Sequence, residues 1–270
     1  MAAVTERIDQ IEQPRAGGYL PLKMFERISF DDGIELSPQE NISGKLIGPA
    51  VEYLTRFLCG KSEESVGRRF IEAFGVSLSG AAYAQEFFGQ KNAVAAFQKI
   101  LEDMVHSDTD GIIIAALKLV TFDVWYCNPR NAVSFAYASV KPDADTIGNI
   151  YTMLRRSRRF FTEYSPVVKC GFDFAPNGYT LTVDKGDGDF LSADTLWDMK
   201  VYSPTTKITK RDTLQILMYW IMGQHSGQEI FRNITKIGFF NPRMNTAYDL
   251  DVSEIPAEII REVEDKVICY

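Results

Sequence analysis

Apolar and polar positions mix without period over residues 1–40, and Gly17-Gly18, Pro21 and Asp31-Asp32-Gly33 interrupt any run, so this stretch is expected to be irregular. From Ser43 the pattern turns helical. Leu46, Ile47, Ala50, Val51, Leu54 and Leu58 recur at three- and four-residue spacing. The same reading predicts helices over 62–75, 80–105, 110–124 and 143–164, with a turn at Asn128-Pro129-Arg130-Asn131. After Pro166 the texture changes. Val167-Val168, Phe172, Phe174, Tyr179, Leu181, Val183, Phe190-Leu191 and Leu196-Trp197, spaced by turn formers, predict an antiparallel meander over 167–202. A helix over 209–222 follows, with Gly223 placed to end it. Strands over 234–240 and 247–252 and an amphipathic helix over 254–267 close the chain. A helical first half followed by strands, helix, strands and helix predicts an α/β (α+β) core behind a large helical N-terminal part. The 270 residues read as a single domain, mainly helical over 1–165 and β-rich over 166–270.

The chemistry concentrates in Gly186-Asp-Gly-Asp-Phe-Leu-Ser-Ala-Asp-Thr-Leu-Trp-Asp-Met-Lys-Val-Tyr202. With Ala193-Asp194 as a hairpin turn, Leu191 faces Leu196, Phe190 faces Trp197 and Asp189 faces Asp198. Side chains alternate along a strand, so Asp189, Asp198 and Lys200 share a face with Leu191 and Leu196, and Phe190, Trp197 and Met199 share the other. Two carboxylates directly opposite in a sheet lie about 5 Å apart. Their repulsion is of order 3 kcal/mol at an effective dielectric of 20. A divalent cation between them offsets this, and Mg²⁺ takes few carboxylates with water and phosphate oxygens. The bland alternative is a solvated acidic hairpin whose charges never meet. Fifteen residues after Lys200, Gln215 and Tyr219 stand at i and i+4 and share a helix face. Upstream, Gly44-Lys-Leu-Ile-Gly48-Pro-Ala-Val-Glu52 puts a carboxylate on an early helix.

In these motifs the chain resembles the PD-(D/E)XK nucleases, in particular their RecB-type, exonuclease-like branch. There a glycine-containing helix carries a His or Glu, a strand brings an Asp, the next strand carries (Asp/Glu)-x-Lys, and the following helix carries Gln-x-x-x-Tyr. Glu52, Asp189, Asp198 with Lys200, and Gln215 with Tyr219 occur here in that order. The tight part of the match covers about 35 residues. Asp187 competes with Asp189 for the first acid, and Val201-Tyr202-Ser203 replaces the Thr-Gly that often follows the lysine. The resemblance implies a restriction-endonuclease-like core with a central mixed sheet flanked by helices. It implies a site in which Asp189, Asp198, the Met199 carbonyl and Glu52 hold Mg²⁺ or Mn²⁺. Lys200 would position or deprotonate the attacking water, or stabilise the phosphorane charge, and Gln215 and Tyr219 would orient Lys200 or the DNA backbone. A second Asp/Glu-x-Lys, Glu264-Asp-Lys266, falls on a predicted helix without a partner acid strand and reads as solvated.

Phosphate contacts need cations. Lys207, Lys210 and Arg211 stand just before or within the first turn of the Gln-x-x-x-Tyr helix, whose dipole favours anions. Arg155, Arg156, Arg158 and Arg159 form a basic cluster beside Phe160 and Phe161, and Arg243 is a loop cation. The plain alternative is a solvated helix end with favourable dipole charges. The net charge of −7 argues against non-specific coating of nucleic acid and is compatible with a protein partner or self-association. The expected substrate is DNA, with RNA left open. A nuclease fold without catalysis, acting as a DNA-binding or protein-interaction module in a phage or defence system, is the competing reading. Composition is that of an ordinary globular chain, 46% apolar and 24% charged, with no apolar run long enough to span a membrane and no apolar leader. Four scattered cysteines without CxxC spacing and only two histidines argue against a zinc site or a disulfide framework, and for a reducing, cytoplasmic setting.

Overall fold

The structure, a computed structural model, describes residues 2–15, 17–60, 66–127, 129 and 137–270. Asn128, Arg130 and Asn131 of the expected turn, and residues 62–65 of the expected second helix, lie outside the described residues. The chain gathers into two compact units: 33–158, and 1–32 together with 159–270. The division thus falls a few residues before the texture change at Pro166, and the N-terminal segment belongs with the β-rich part.

That N-terminal segment corrects the expectation of irregularity. It forms β1 (Ala2–Ala3), α1 (Val4–Gln10) and β2 (Glu26–Ser29). These elements are too short to show a period, and their order comes from partners far along the chain. Val4 and Ile8 are buried in the core of the sheet unit, and β2 pairs antiparallel with a strand near residue 248.

The helical unit follows as α2 (Gly44–Cys59), α3 (Val66–Ala73), α4 (Gly75–Phe87), α5 (Ala93–Val105), α6 (Thr109–Leu119), α7 (Asp123–Cys127) and most of α8 (Ala144–Arg159). Ser43 caps α2 by accepting from the Lys45 amide. The helix expected over 80–105 is two. Gly89 and Asn92 take left-handed conformations between α4 and α5, which a continuous helix cannot hold. Gly80 lets α4 approach the Phe122 carbonyl, where a Cβ would lie 2.1 Å from the oxygen. Asn149 of α8 brackets the 37–40 loop, accepting from the Ser37 amide at 2.8 Å and donating to its carbonyl at 2.9 Å.

The sheet unit resumes with a π-helical turn at Phe160–Tyr164. It continues as β3 (Val167–Phe172), β4 (Val183–Lys185), β5 (Gly188–Ser192), β6 (Thr195–Met199), α9 (Lys210–Ser226), β7 (Lys236–Asn241), β8 (Thr246–Asp251) and α10 (Ala257–Glu262). Six strands form one mixed sheet in the order β2-β8-β7-β6-β5-β3, and β1 pairs with β4 separately. Only β6 and β7 run parallel within the large sheet. Helix α9 is the crossover that a parallel pair requires. Its buried Leu214, Leu217, Met218 and Ile221 pack in one core with Leu191, Leu196, Ile237 and Phe239 of the strands.

Helix α9 runs through Gly223, and the expected stop there is corrected. Gly223 is small because Phe231 crosses it: a Cβ would lie 2.5 Å from the ring. The helix ends at Gly227, whose φ of 78° suits a left-handed C-terminal cap. The opposite face of the sheet is aromatic. Phe160 stacks on Phe240 at 4.0 Å and meets Trp197 edge-on at 5.0 Å, while Phe161 stacks on Phe190 at 4.3 Å. Phe160 and Phe161 are therefore core residues, the packing alternative for that pair.

Candidate active site

The β5–β6 hairpin has the predicted register. Phe190 pairs with Trp197 and Leu191 with Leu196, which leaves Ala193-Asp194 at the turn. Phe190 and Trp197 point to the aromatic layer, and Leu191 and Leu196 point to α9. Alternation then sends Asp189, Asp198 and Lys200 towards α9. Gly238, on the neighbouring β7, leaves room for the indole: a Cβ there would lie 2.4 Å from the Trp197 ring. Trp197 Nε1 donates to Ser165 Oγ at 2.9 Å, so the aromatic side is satisfied.

Both acids are buried, Asp189 at 7% exposure and Asp198 at 3%. Asp189 Oδ2 accepts from the Met199 amide at 2.7 Å. Lys200 Nζ lies 2.7 Å from Asp198 Oδ2 and 3.8 Å from Asp212 Oδ1, and donates to Gln215 Oε1 at 3.2 Å. Gln215 Nε2 in turn donates to Tyr219 Oη at 3.0 Å, across one turn of α9. Asp198 Oδ2 is buried, and the Lys200 ammonium is its charged partner.

Desolvation raises the Asp198 carboxyl to about 7, with Asp189 adding to the rise and Lys200 opposing it. Desolvation pulls the Lys200 ammonium down, but Asp198, Asp212 and Asp189 together outweigh it and hold the ammonium above the usual lysine range. Lys200 is therefore held in its charged form. Burial also pushes the phenols of Tyr219 and Tyr202 up.

Asp212 is the member the motif reading missed. Its Oδ2 accepts from the Thr209 amide at 2.7 Å and from Thr209 Oγ1 at 2.8 Å, and its Oδ1 accepts from Tyr202 Oη at 2.8 Å. The signal was present as Thr209-Lys-Arg-Asp212, a capping box opening α9 three residues before Gln215. Asp187, the competing first acid, is exposed in the approach to β5, so the geometry selects Asp189.

Glu52 belongs to the helical unit, where it pairs with Arg56 at 2.6 Å. Arg156 is buried and donates to the Ile34 carbonyl at 2.6 Å, a structural use. Arg155 is exposed on α8, and Arg159 pairs with Glu163 at 3.1 Å. Arg211 is tied to Asp9 at 2.8 Å and to the Thr5 carbonyl. Lys207 and Lys210 are exposed beside the start of α9. In the second Asp/Glu-x-Lys, Lys266 pairs with Glu262 and Glu264 with His225, away from any strand.

Two carboxylates suffice for Mg²⁺ when water and phosphate complete the shell. Among the described residues no group of three or more His, Cys, Asp or Glu converges as a metal cage. The candidate donor set is Asp189 with Asp198, two acids buried on one face of the β5–β6 hairpin, and Lys200 already sits on one oxygen of Asp198. Among the described residues no disulfide joins the four cysteines, and no helix is long and apolar enough to cross a membrane. Comparison with protein-family models, with curated proteins and with solved structures gives no match for the chain.

Proposed function

We propose that the chain is a metal-dependent nuclease of the PD-(D/E)XK type, with a restriction-endonuclease-like core, hydrolysing phosphodiester bonds in DNA. One observation carries the reading: Asp189 and Asp198 are buried together on the β5–β6 hairpin while Lys200 lies between Asp198 and the Gln215–Tyr219 pair. The order of β5, β6 and α9 is that of the motifs in the resemblance. A pure binding surface has no use for acids buried together, because each costs several kcal/mol of desolvation.

Asp189 and Asp198, with the Met199 carbonyl, would hold Mg²⁺ or Mn²⁺. The bound cation supplies Lewis-acid polarisation of the scissile phosphate and a water of lowered pKa. Lys200 Nζ, kept protonated by its acidic neighbours, donates to the phosphoryl oxygens as negative charge grows on them. Gln215 holds the ammonium in place, and Tyr219 fixes the Gln215 amide so that its oxygen faces Lys200. Lys207 and Lys210 offer exposed cations for the backbone next to the first turn of α9.

Purified protein incubated with linear and circular, single- and double-stranded DNA tests the reading, in Mg²⁺, Mn²⁺ or EDTA, beside Lys200→Ala. Cleavage that needs metal and is lost in the variant is expected. DNA retention without cleavage under every condition would replace this reading with that of a binding module. Undiminished cleavage by Lys200→Ala would remove Lys200 from the site.

A further inference from the structure

We propose that Lys200 has two seats, and that Asp212 is the positioning residue that draws its ammonium off Asp198 when a divalent cation binds between Asp189 and Asp198. The inference rests on the metal-dependent reading above and assigns Asp212 a task within it. In the structure the ammonium sits where it would compete with such a cation, 2.7 Å from Asp198 Oδ2. An ammonium and a divalent cation cannot share one carboxylate oxygen at contact distance without strong repulsion. Lys200 must therefore shift, and an ammonium on a side chain only 14% exposed is best received by another anion.

Asp212 is that anion. Its Oδ1 lies 3.8 Å from Nζ, so a shift of about 1 Å brings the pair to charge-assisted hydrogen-bond distance. Oδ1 receives Tyr202 Oη and has a second lone pair for the lysine. Thr209 fixes Oδ2 through its amide and hydroxyl, so the carboxylate is aimed before the lysine arrives. Gln215 Oε1, at 3.2 Å, stays in reach throughout and serves as the pivot. Charge supports the same sequence. Asp189, Asp198 and Asp212 with Lys200 leave a formal charge of minus two when all are ionised, which one divalent cation cancels.

Mn²⁺ affinity, measured by electron paramagnetic resonance without substrate, tests the proposal in wild type, Asp212→Asn, Lys200→Ala and the double variant. Asp212→Asn keeps an oxygen for Thr209 and removes the charge; Asp212→Ser takes its place if the asparagine variant does not fold. The expected result is about tenfold weaker Mn²⁺ binding in the wild-type background and less than about threefold with Lys200 absent, because the coupling runs through the lysine. Asp212→Glu should restore affinity to within about threefold of wild type. Equal losses with and without Lys200, or no loss at all, would overturn the two-seat inference and leave the metal reading standing. No Mn²⁺ binding by the wild type would overturn both.

Discussion

The two faces of the β5–β6 hairpin follow opposite rules. On one face Phe190 and Trp197 stack among Phe160, Phe161 and Phe240, and the lone polar atom, Trp197 Nε1, has its acceptor. On the other face, one residue along each strand, Asp189 and Asp198 are buried beside a partly buried Lys200. The aromatic face gains stability from contact area and fixes the register; a slip of one residue would exchange the faces. The acidic face costs stability, and it is placed only because its neighbours are so well packed. Strain of this kind concentrates at functional sites.

Breaking the aromatic face should have the largest effect. Trp197→Ala is expected to destabilise the protein by about 4 kcal/mol in denaturant unfolding, because the indole is fully buried and the sheet cannot close over the space. It should also abolish metal binding, since the register goes with it; retained metal affinity would separate the two faces. Next, Lys200→Met should cost about 3 kcal/mol at pH 8 by leaving buried acids without their cation. The cost should shrink at pH 6, where Asp198 takes up a proton.

Metal and pH sharpen the comparison further. Asp198 titrates about pH 7 in the folded state, above the ordinary carboxylate value. The folded state holds a proton that the unfolded chain releases, so this group's contribution is full below the usual carboxylate pKa and is lost as pH rises towards 7. Metal-free stability should therefore fall by up to about 1.4 kcal/mol per pH unit over that window. Asp198→Asn should flatten the slope. Mg²⁺ at a hundred times its dissociation constant should add about 2.7 kcal/mol, most clearly above pH 7, and EDTA should remove the gain. The smallest effect belongs to Asp187→Asn, expected within about 0.5 kcal/mol of wild type and without loss of cleavage; a lost activity would return Asp187 to the role given to Asp189.

The hairpin was legible in the sequence because the alternation Asp-Phe-Leu and Leu-Trp-Asp around a two-residue turn leaves one register that keeps both apolar sets buried. Helical spacing put Gln215 and Tyr219 on one face, and the resemblance put that face beside Lys200. Asp212 was not, because a helix-capping acid carries the same local pattern whether or not a lysine from another strand comes to it. Arg156 and Arg211 illustrate the reverse: their charges suited phosphate contacts, but each is engaged by a partner that spacing does not reveal, the Ile34 carbonyl and Asp9. The N-terminal strand and helix escaped detection for the same reason, being ordered by residues at the other end of the chain.

The pairing of β2 with β8 joins residues about 220 positions apart, as in Arg27 with Tyr248. Long-range pairs of this kind close late, since the loop entropy is lost before any contact compensates for it. On the ribosome β2 emerges about 220 residues before β8, so the sheet stays incomplete until β8 has followed it. Until β2 docks, β8 presents an open edge of unpaired amides and carbonyls, the kind of template on which another chain can add. A chain shortened past residue 30 would carry that open edge permanently, and its first fault would be self-association during folding.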